Sequence, residues 1–510
     1  MRYTAPRAGK NTLHAYINNL IIKIIMKLHL PTALFVLITG TACVMADTVP
    51  TGAITVTHNS SEIGPFYGLD STQNGSGVSS ITTNITEGAN LEKSLAGGLE
   101  FNHKTLENGY YADTDGVTLK DGVIINMTGG TATSLKGGNC INTSSYLDAI
   151  LENLGDAVNV GSIEINVSGG TLGVAGSGAE EAIMGGGGRH CGTAADGGIE
   201  VNISGGTINN KVYAGTNGGS TGYTKLNISG GTINADVYGG GRKDYGVVLN
   251  DSTVTISGGT INGNVYAAGD QDTVKGNAHV TITGGDITGT VSGGGTKGSK
   301  VEGTSTLNIG DTNTAYNDSL RVADFDAVNV KNGQVSITDL QIAETGTTIN
   351  VATGASLELS LSDLVVSGDA AGLSFEGDGD VTLNTDNLSY TFIVTNEMLA
   401  AGGEHTFTLM EGSGSVIDNT YSSMIQSGVD INFVLEDGTA FIPETISGLE
   451  ILFLEDAEVS GSIVIGPNSE LIMPTSSKQA IVVKATIPEP TTATMSLLAL
   501  AALAARRRRR

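Results

Sequence analysis

The chain has no tryptophan, 9 prolines and 3 cysteines in 510 residues, and aromatic residues make up 5% of it. No CxxC or Cys/His spacing suited to zinc occurs. There is no GxSxG, no HExxH and no GxxxxGK[ST], so the local signatures of a serine hydrolase, a zincin and a phosphate-binding loop are all missing. Positive charge is also scarce. Lys plus Arg number 26 against 52 Asp plus Glu, and outside the two ends the arginines are Arg189, Arg242 and Arg321. Removing five basic residues before Asp47 and five terminal arginines leaves 16 against 52, a net charge of −36. Such a surface repels nucleic acid and anionic membranes. What the chain has instead is 73 glycines and short runs of Val, Ile and Leu, a composition that favours strands and turns over helices.

The two ends read as export and sorting segments. Lys27 precedes an apolar stretch from Leu30 to Val44, with small residues around Ala46, which predicts a secretory signal cleaved after Ala46. Residues before Met26 form either a long basic leader or a misassigned start. A retained anchor is the alternative, although the run is shorter than the roughly 20 residues of a spanning helix. A lipoprotein reading through Cys43 is weakened by Gly40, where such a motif carries a large aliphatic residue. At the other end Pro488, Glu489 and Pro490 are followed by an apolar run, Ala493 to Ala505, and by Arg506, Arg507, Arg508, Arg509 and Arg510.

This order resembles the PEP-CTERM sorting tail of Gram-negative bacteria. The resemblance covers about the last 23 residues. It implies an exosortase-type processing protease as partner, a membrane contact through the tail before processing, and a body left at the cell surface, outer envelope or extracellular matrix. The thirteen apolar residues rise about 20 Å as a helix, short of a hydrocarbon core, so a disposable anchor fits better than a permanent one. A permanent tail anchor and a basic nucleic-acid tail are the blander alternatives.

Between the ends runs an internal repeat. Its clearest copies are Val201-Asn-Ile-Ser-Gly-Gly-Thr-Ile-Asn209, Leu226-Asn-Ile-Ser-Gly-Gly-Thr-Ile-Asn234 and Val254-Thr-Ile-Ser-Gly-Gly-Thr-Ile-Asn262. The Gly-Gly pairs begin at Gly129, Gly169, Gly205, Gly230, Gly258 and Gly284, in steps of 40, 36, 25, 28 and 26. Apolar residues alternate on both sides of each pair, the period of a strand with one buried face. Val201, Ile203, Ile208 and Val212 should point inward, with Leu226, Ile228, Ile233 and Val237 aligned in the next copy. Each copy then makes one coil of an all-β, parallel, right-handed β-helix, and coils bury one another's aliphatic faces. The style resembles the passenger stalks of autotransporter adhesins, without their C-terminal barrel. The expected organisation is a signal at 1–46, an N-terminal β region at 47–120, solenoid repeats at 121–310, degenerate coils at 311–389, a β-rich cap of hairpin-like segments at 390–485, and the sorting tail with its transmembrane helix at 486–510.

Candidate chemistry is sparse. Tyr213, Tyr238 and Tyr266 each fall eight residues after the first glycine of their pair and should form one column, with Ser292 next in line. Such a column either binds glycans or stabilises the stack through ring contacts. Asn209, Asn234 and Asn262 should form a hydrogen-bonded ladder. Cys140 and Cys191 could pair in an oxidising compartment. Asp113 with Asp115, and Asp378 with Asp380, are candidates for weak Ca2+ binding or plain polar turns, and no other cofactor is expected. Arg189-His190-Cys191 is the best single cluster for an enzyme resembling pectate lyase, yet no second element accompanies it. The expectation is therefore a structural or adhesive surface protein that is not an enzyme, with extracellular polysaccharide or host glycans as partners. A carbohydrate-active β-helix enzyme, a polysaccharide lyase or glycoside hydrolase, is the alternative.

Overall fold

The structure, a computed structural model, describes residues 52–62, 66–69, 78–102, 117–142, 159–173, 180–187, 191–242, 246–361, 363–367, 371–384, 388–412, 416–417, 420, 430–441, 447–455, 458–464 and 479–487. It is nearly all β, built from long parallel sheets in the manner of a β-solenoid. Ala46, Pro488, Glu489, Pro490 and Arg506 to Arg510 lie outside the described residues. Among the described residues, no helix is long and apolar enough to cross a membrane.

One column of core residues tracks the coils. Ile85, Met127, Val167, Ile203, Ile228, Ile256, Ile282, Ile309, Val330 and Val351 are aligned in successive parallel pairings. The inward assignment holds throughout the clear repeats: Val201, Ile208, Val212, Leu226, Ile233 and Val237 are all fully buried. Each such side chain contributes about 1.5–3 kcal/mol relative to exposure, but only because the coils above and below cover it.

Gly-Gly lies within single strands and does not separate two of them. Gly198–Ile208, Tyr223–Ile233, Ser252–Ile261 and Ala278–Ile287 run through it as single strands, with a register shift at the glycines. The two glycines are needed for different reasons. A Cβ on Gly205 would lie 2.3 Å from the Ser168 carbonyl of the coil below. The second glycine takes positive φ, +84° at Gly206 and +83° at Gly231, a conformation costly for any residue with a side chain.

A second parallel sheet follows each bend, through Lys211–Tyr213, Val237–Tyr238, Val265–Tyr266 and Thr290–Ser292. Between residues 220 and 301 a third, shorter sheet closes the coil: Ser220–Thr221, Val247–Val248, Thr273–Val274 and Lys300–Val301. Parallel coiling starts earlier than the N-terminal boundary suggested, since Gly52–His58 already pairs in parallel with Val78–Ile85. It also persists later. Ser389–Val394, expected in a hairpin-like cap, pairs in parallel with Asp363–Ser367 and Asp430–Leu435. Antiparallel structure begins at Gly403–Gly412, which pairs with Gln479–Ile487, followed by Ser447–Glu455 and Glu458–Val464. Phe392, Phe407 and Phe433 join the two regimes, with ring centroids 4.9, 5.2 and 6.2 Å apart.

Candidate functional site

The tyrosine column exists, and it is enclosed. Each tyrosine follows an inward valine on the second sheet, so it projects from that sheet's outer side. Tyr213 and Tyr238 are nevertheless only 1% and 2% exposed, and Tyr266 is half-buried. The rings stack face to face, with centroids 4.5 and 4.8 Å apart and planes within 12° and 14°. Met184 is aligned with Tyr213 one coil below, and Ser292 with Tyr266 one coil above. Both faces of Tyr238 are thus occupied by protein rings. This geometry favours the structural ladder over a sugar platform at Tyr213 and Tyr238.

Charged groups border the ladder. Arg242 donates from Nη1 to Glu181 Oε2 at 2.9 Å and also pairs with Glu180, while Lys136 Nζ lies 3.6 Å from Glu181. Asp270, 2% exposed, accepts from Thr296 Oγ1 at 3.0 Å and from Lys297 Nζ at 2.9 Å. Burial, reinforced by Tyr238 and Asp270, pushes the Tyr213 phenol well above its usual range. Burial does the same at Tyr238, whose hydroxyl lies 3.5 Å from Asp236 Oδ2. The phenols accordingly keep their protons at any physiological pH, as ladder members and not as bases.

A buried carboxylate that sequence reasoning passed over lies nearby. Asp272, 3% exposed, accepts from the Gly241 N–H at 2.6 Å, the Gly269 N–H at 2.9 Å and Ser299 Oγ at 2.7 Å. Burial raises its pKa, partly opposed by these donors. It fastens glycine-rich turns of three coils to one another. Nothing in the local sequence marked it, because its donors come from glycines about 30 positions upstream and three upstream.

The outer face of the first sheet carries polar columns. Asn227, Asn202, Asn166 and Asn126 each donate from Nδ2 to the asparagine one coil earlier, ending on Asn84, at 2.8–3.0 Å. Comparing the residue before each aligned core position across copies would have revealed this ladder. The expected one is present too: Asn262 donates to Asn234 and Asn234 to Asn209, each at 2.9 Å. Between them lie the hydroxyls Thr128, Ser168, Ser204, Ser229, Ser257 and Thr283, each directly after an aligned core residue, although the register shift pairs Ser204, Ser229 and Ser257 with Gly230, Gly258 and Gly284. A column of threonines, Thr131, Thr171, Thr207, Thr232 and Thr260, follows in register and ends on Asp286.

Several of the remaining candidates lie outside the described residues. Cys191 is fully buried, whereas Cys140 belongs to Cys140–Asn142 and its side chain lies outside the described residues. Arg189, His190, Asp113 and Asp115 also lie outside them. Asp380 opens the strand Asp380–Asn384 with Asp378 in the exposed turn before it. Among the described residues, no group of three His, Cys, Asp or Glu side chains is placed to hold a metal ion. No protein-family model, curated protein or solved structure matches the chain.

Proposed function

We propose that this is an exported β-solenoid serving as a structural or adhesive component of a bacterial surface or extracellular matrix, right-handed in its coiling and delivered by its PEP-CTERM-like tail to an exosortase-type protease. The observation that carries the reading is the unbroken parallel stack, whose core column runs in register from Ile85 to Val351. A rod of this kind devotes its polar side chains to holding coils together, as the tyrosine ladder, Asp272 and the asparagine ladders do. Extracellular polysaccharide or surface glycans are the partners that suit it. Mass spectrometry of protein from the native host should find a chain ending near Pro490 and lacking Arg506 to Arg510. Surface-located protein with intact terminal arginines would refute the sorting step.

A further inference from the structure

We infer that the outer face of the first sheet, between residues 126 and 286, is a binding plate for an uncharged, extended polysaccharide. The inference deepens the adhesive reading above and rests on it for the polymer lying outside the cell.

The plate is composed of two aligned columns six coils deep, the asparagine column continued by Thr255 and Thr281 and the threonine column ending at Asp286, with one hydroxyl per coil between them, from Thr128 through Ser204 and Ser229 to Thr283. Of these eighteen positions, Asp286 alone is charged. In a chain with 52 acidic and 26 basic residues, that neutrality is confined and regular. Charged side chains occupy the margin instead, at Glu164, Glu200 and Lys225, and Glu200 accepts from Asn227 Nδ2 at 3.2 Å.

The composition selects the occupant. A surface with no positive charge has nothing to offer phosphate or uronate, and one without apolar side chains has nothing for a lipid or a hydrophobic protein patch. A neutral polymer of hydroxyl groups matches it, since hydroxyls and amides both donate and accept. The ladder leaves amide capacity at Asn202, whereas Asn166 and Asn227 direct a second amide bond to Glu164 and Glu200. Asn202 uses one N–H on Asn166 and accepts from Asn227, which leaves a second N–H and a second lone pair for an outside partner. Ser204, Ser229 and Ser257 are exposed, each directly after an aligned core residue. Their side chains are short and backbone-fixed, so little conformational entropy is lost on binding. Coils recur about every 4.8 Å, close to the length of one sugar in an extended chain, so successive sugars would meet equivalent groups.

The test is a pull-down of the purified protein with cellulose, chitin and an uncharged soluble β-glucan, with alginate and pectate as anionic controls. At least one neutral polymer should bind, and added salt should not release it, since no ion pair is involved. Replacing Ser204→Lys, Ser229→Glu and Ser257→Lys together places bulky charges of alternating sign on successive coils of the plate. Affinity should fall at least about tenfold, equal to about 1.4 kcal/mol, with parent-like melting. If that variant fails to fold, Thr207→Val, Thr232→Val and Thr260→Val keep the shape, remove three hydroxyls and should still weaken binding several-fold. Binding by no neutral polymer, binding of the anionic ones only, or unchanged affinity in the folded variants would overturn the plate. Delivery to the surface, read in cells by the C-terminal mass, fails or holds independently of these results.

Discussion

The coils between residues 198 and 301 and the two that follow Ile309 are built on the same core column to different plans. In the first stretch the column advances by 25, 28 and 26 residues per coil, from Ile203 to Ile282, with three strands to a coil. From Ile309 to Val330 to Val351 it advances by 21 each time, with two strands to a coil, as in Ala327–Val330 and Gln334–Ile342. The Gly-Gly bend and the third strand disappear together. Leu307-Asn-Ile-Gly-Asp311 retains a single glycine, Gly310, at φ +70°. The shorter coil closes around larger side chains, among them Phe325, which is fully buried. The four to seven residues of difference form the side that holds Asp272 and the glycine-rich turns beside the tyrosines. The core column is therefore the invariant of the fold, and the third side is an addition to it that carries the buried carboxylates Asp270 and Asp272.

The largest expected effect ignores the difference between the plans. Ile228→Asp in the wide stretch, or Val330→Asp in the narrow one, buries an unpaired carboxylate in the shared column and should destabilise by about 4 kcal/mol or more. Thermal melting followed by circular dichroism would measure it, and a variant that melts like the parent would show that the column is not the support of both stretches. Replacing Tyr213, Tyr238 and Tyr266 together by Ser should separate the stretches. Two stacked contacts at about 0.5–1.5 kcal/mol each, in addition to lost burial, predict a fall of at least about 3 kcal/mol. Protection from hydrogen exchange should drop across 198–301 and stay unchanged after Ala327.

Asp272→Ala sharpens the contrast further. It leaves the buried Gly241 and Gly269 N–H groups without this acceptor, at about 1–3 kcal/mol for each group left unmade. The pH dependence has a definite sign. Because burial raises the Asp272 pKa in the folded state, the native chain holds a proton that the unfolded chain has lost between the ordinary carboxylate range and the raised value. The contribution of Asp272 to stability is therefore fully present at low pH and declines as pH rises through that interval. Comparing denaturation of parent and Asp272→Ala variant over pH should show that component of the slope vanish. The smallest effect compares the asparagine ladders. Asn202→Ala removes two amide bonds and Asn329→Ala one, to Asn308, so the first should cost about twice the second at roughly 0.5–1 kcal/mol per bond. Equal costs would mean that the long ladder gains nothing from its continuity.

Local chemistry already determined the strand period, the inward columns and the need for glycine at the bends, because alternation of Val and Ile with polar residues and a recurring Gly-Gly pair are properties of neighbouring positions. The asparagine ladder at Asn209, Asn234 and Asn262 was legible for the same reason, since identical residues at one repeat position must align once coils stack in register. Only the tertiary structure decided which faces are open. Tyr213 and Tyr238 lie on the outer side of their sheet, yet both are buried, stacked on each other and on Tyr266, with Met184 aligned below and Lys211 Nζ 5.6 Å from the Tyr238 ring centroid. Asp272 was invisible for a related reason: a carboxylate among many acquires its role from backbone donors in other coils. The continuity of strands through Gly-Gly, the loss of one side after Val301 and the late onset of the antiparallel segment at Gly403 likewise follow from pairing between coils, a long-range property that no window of sequence contains.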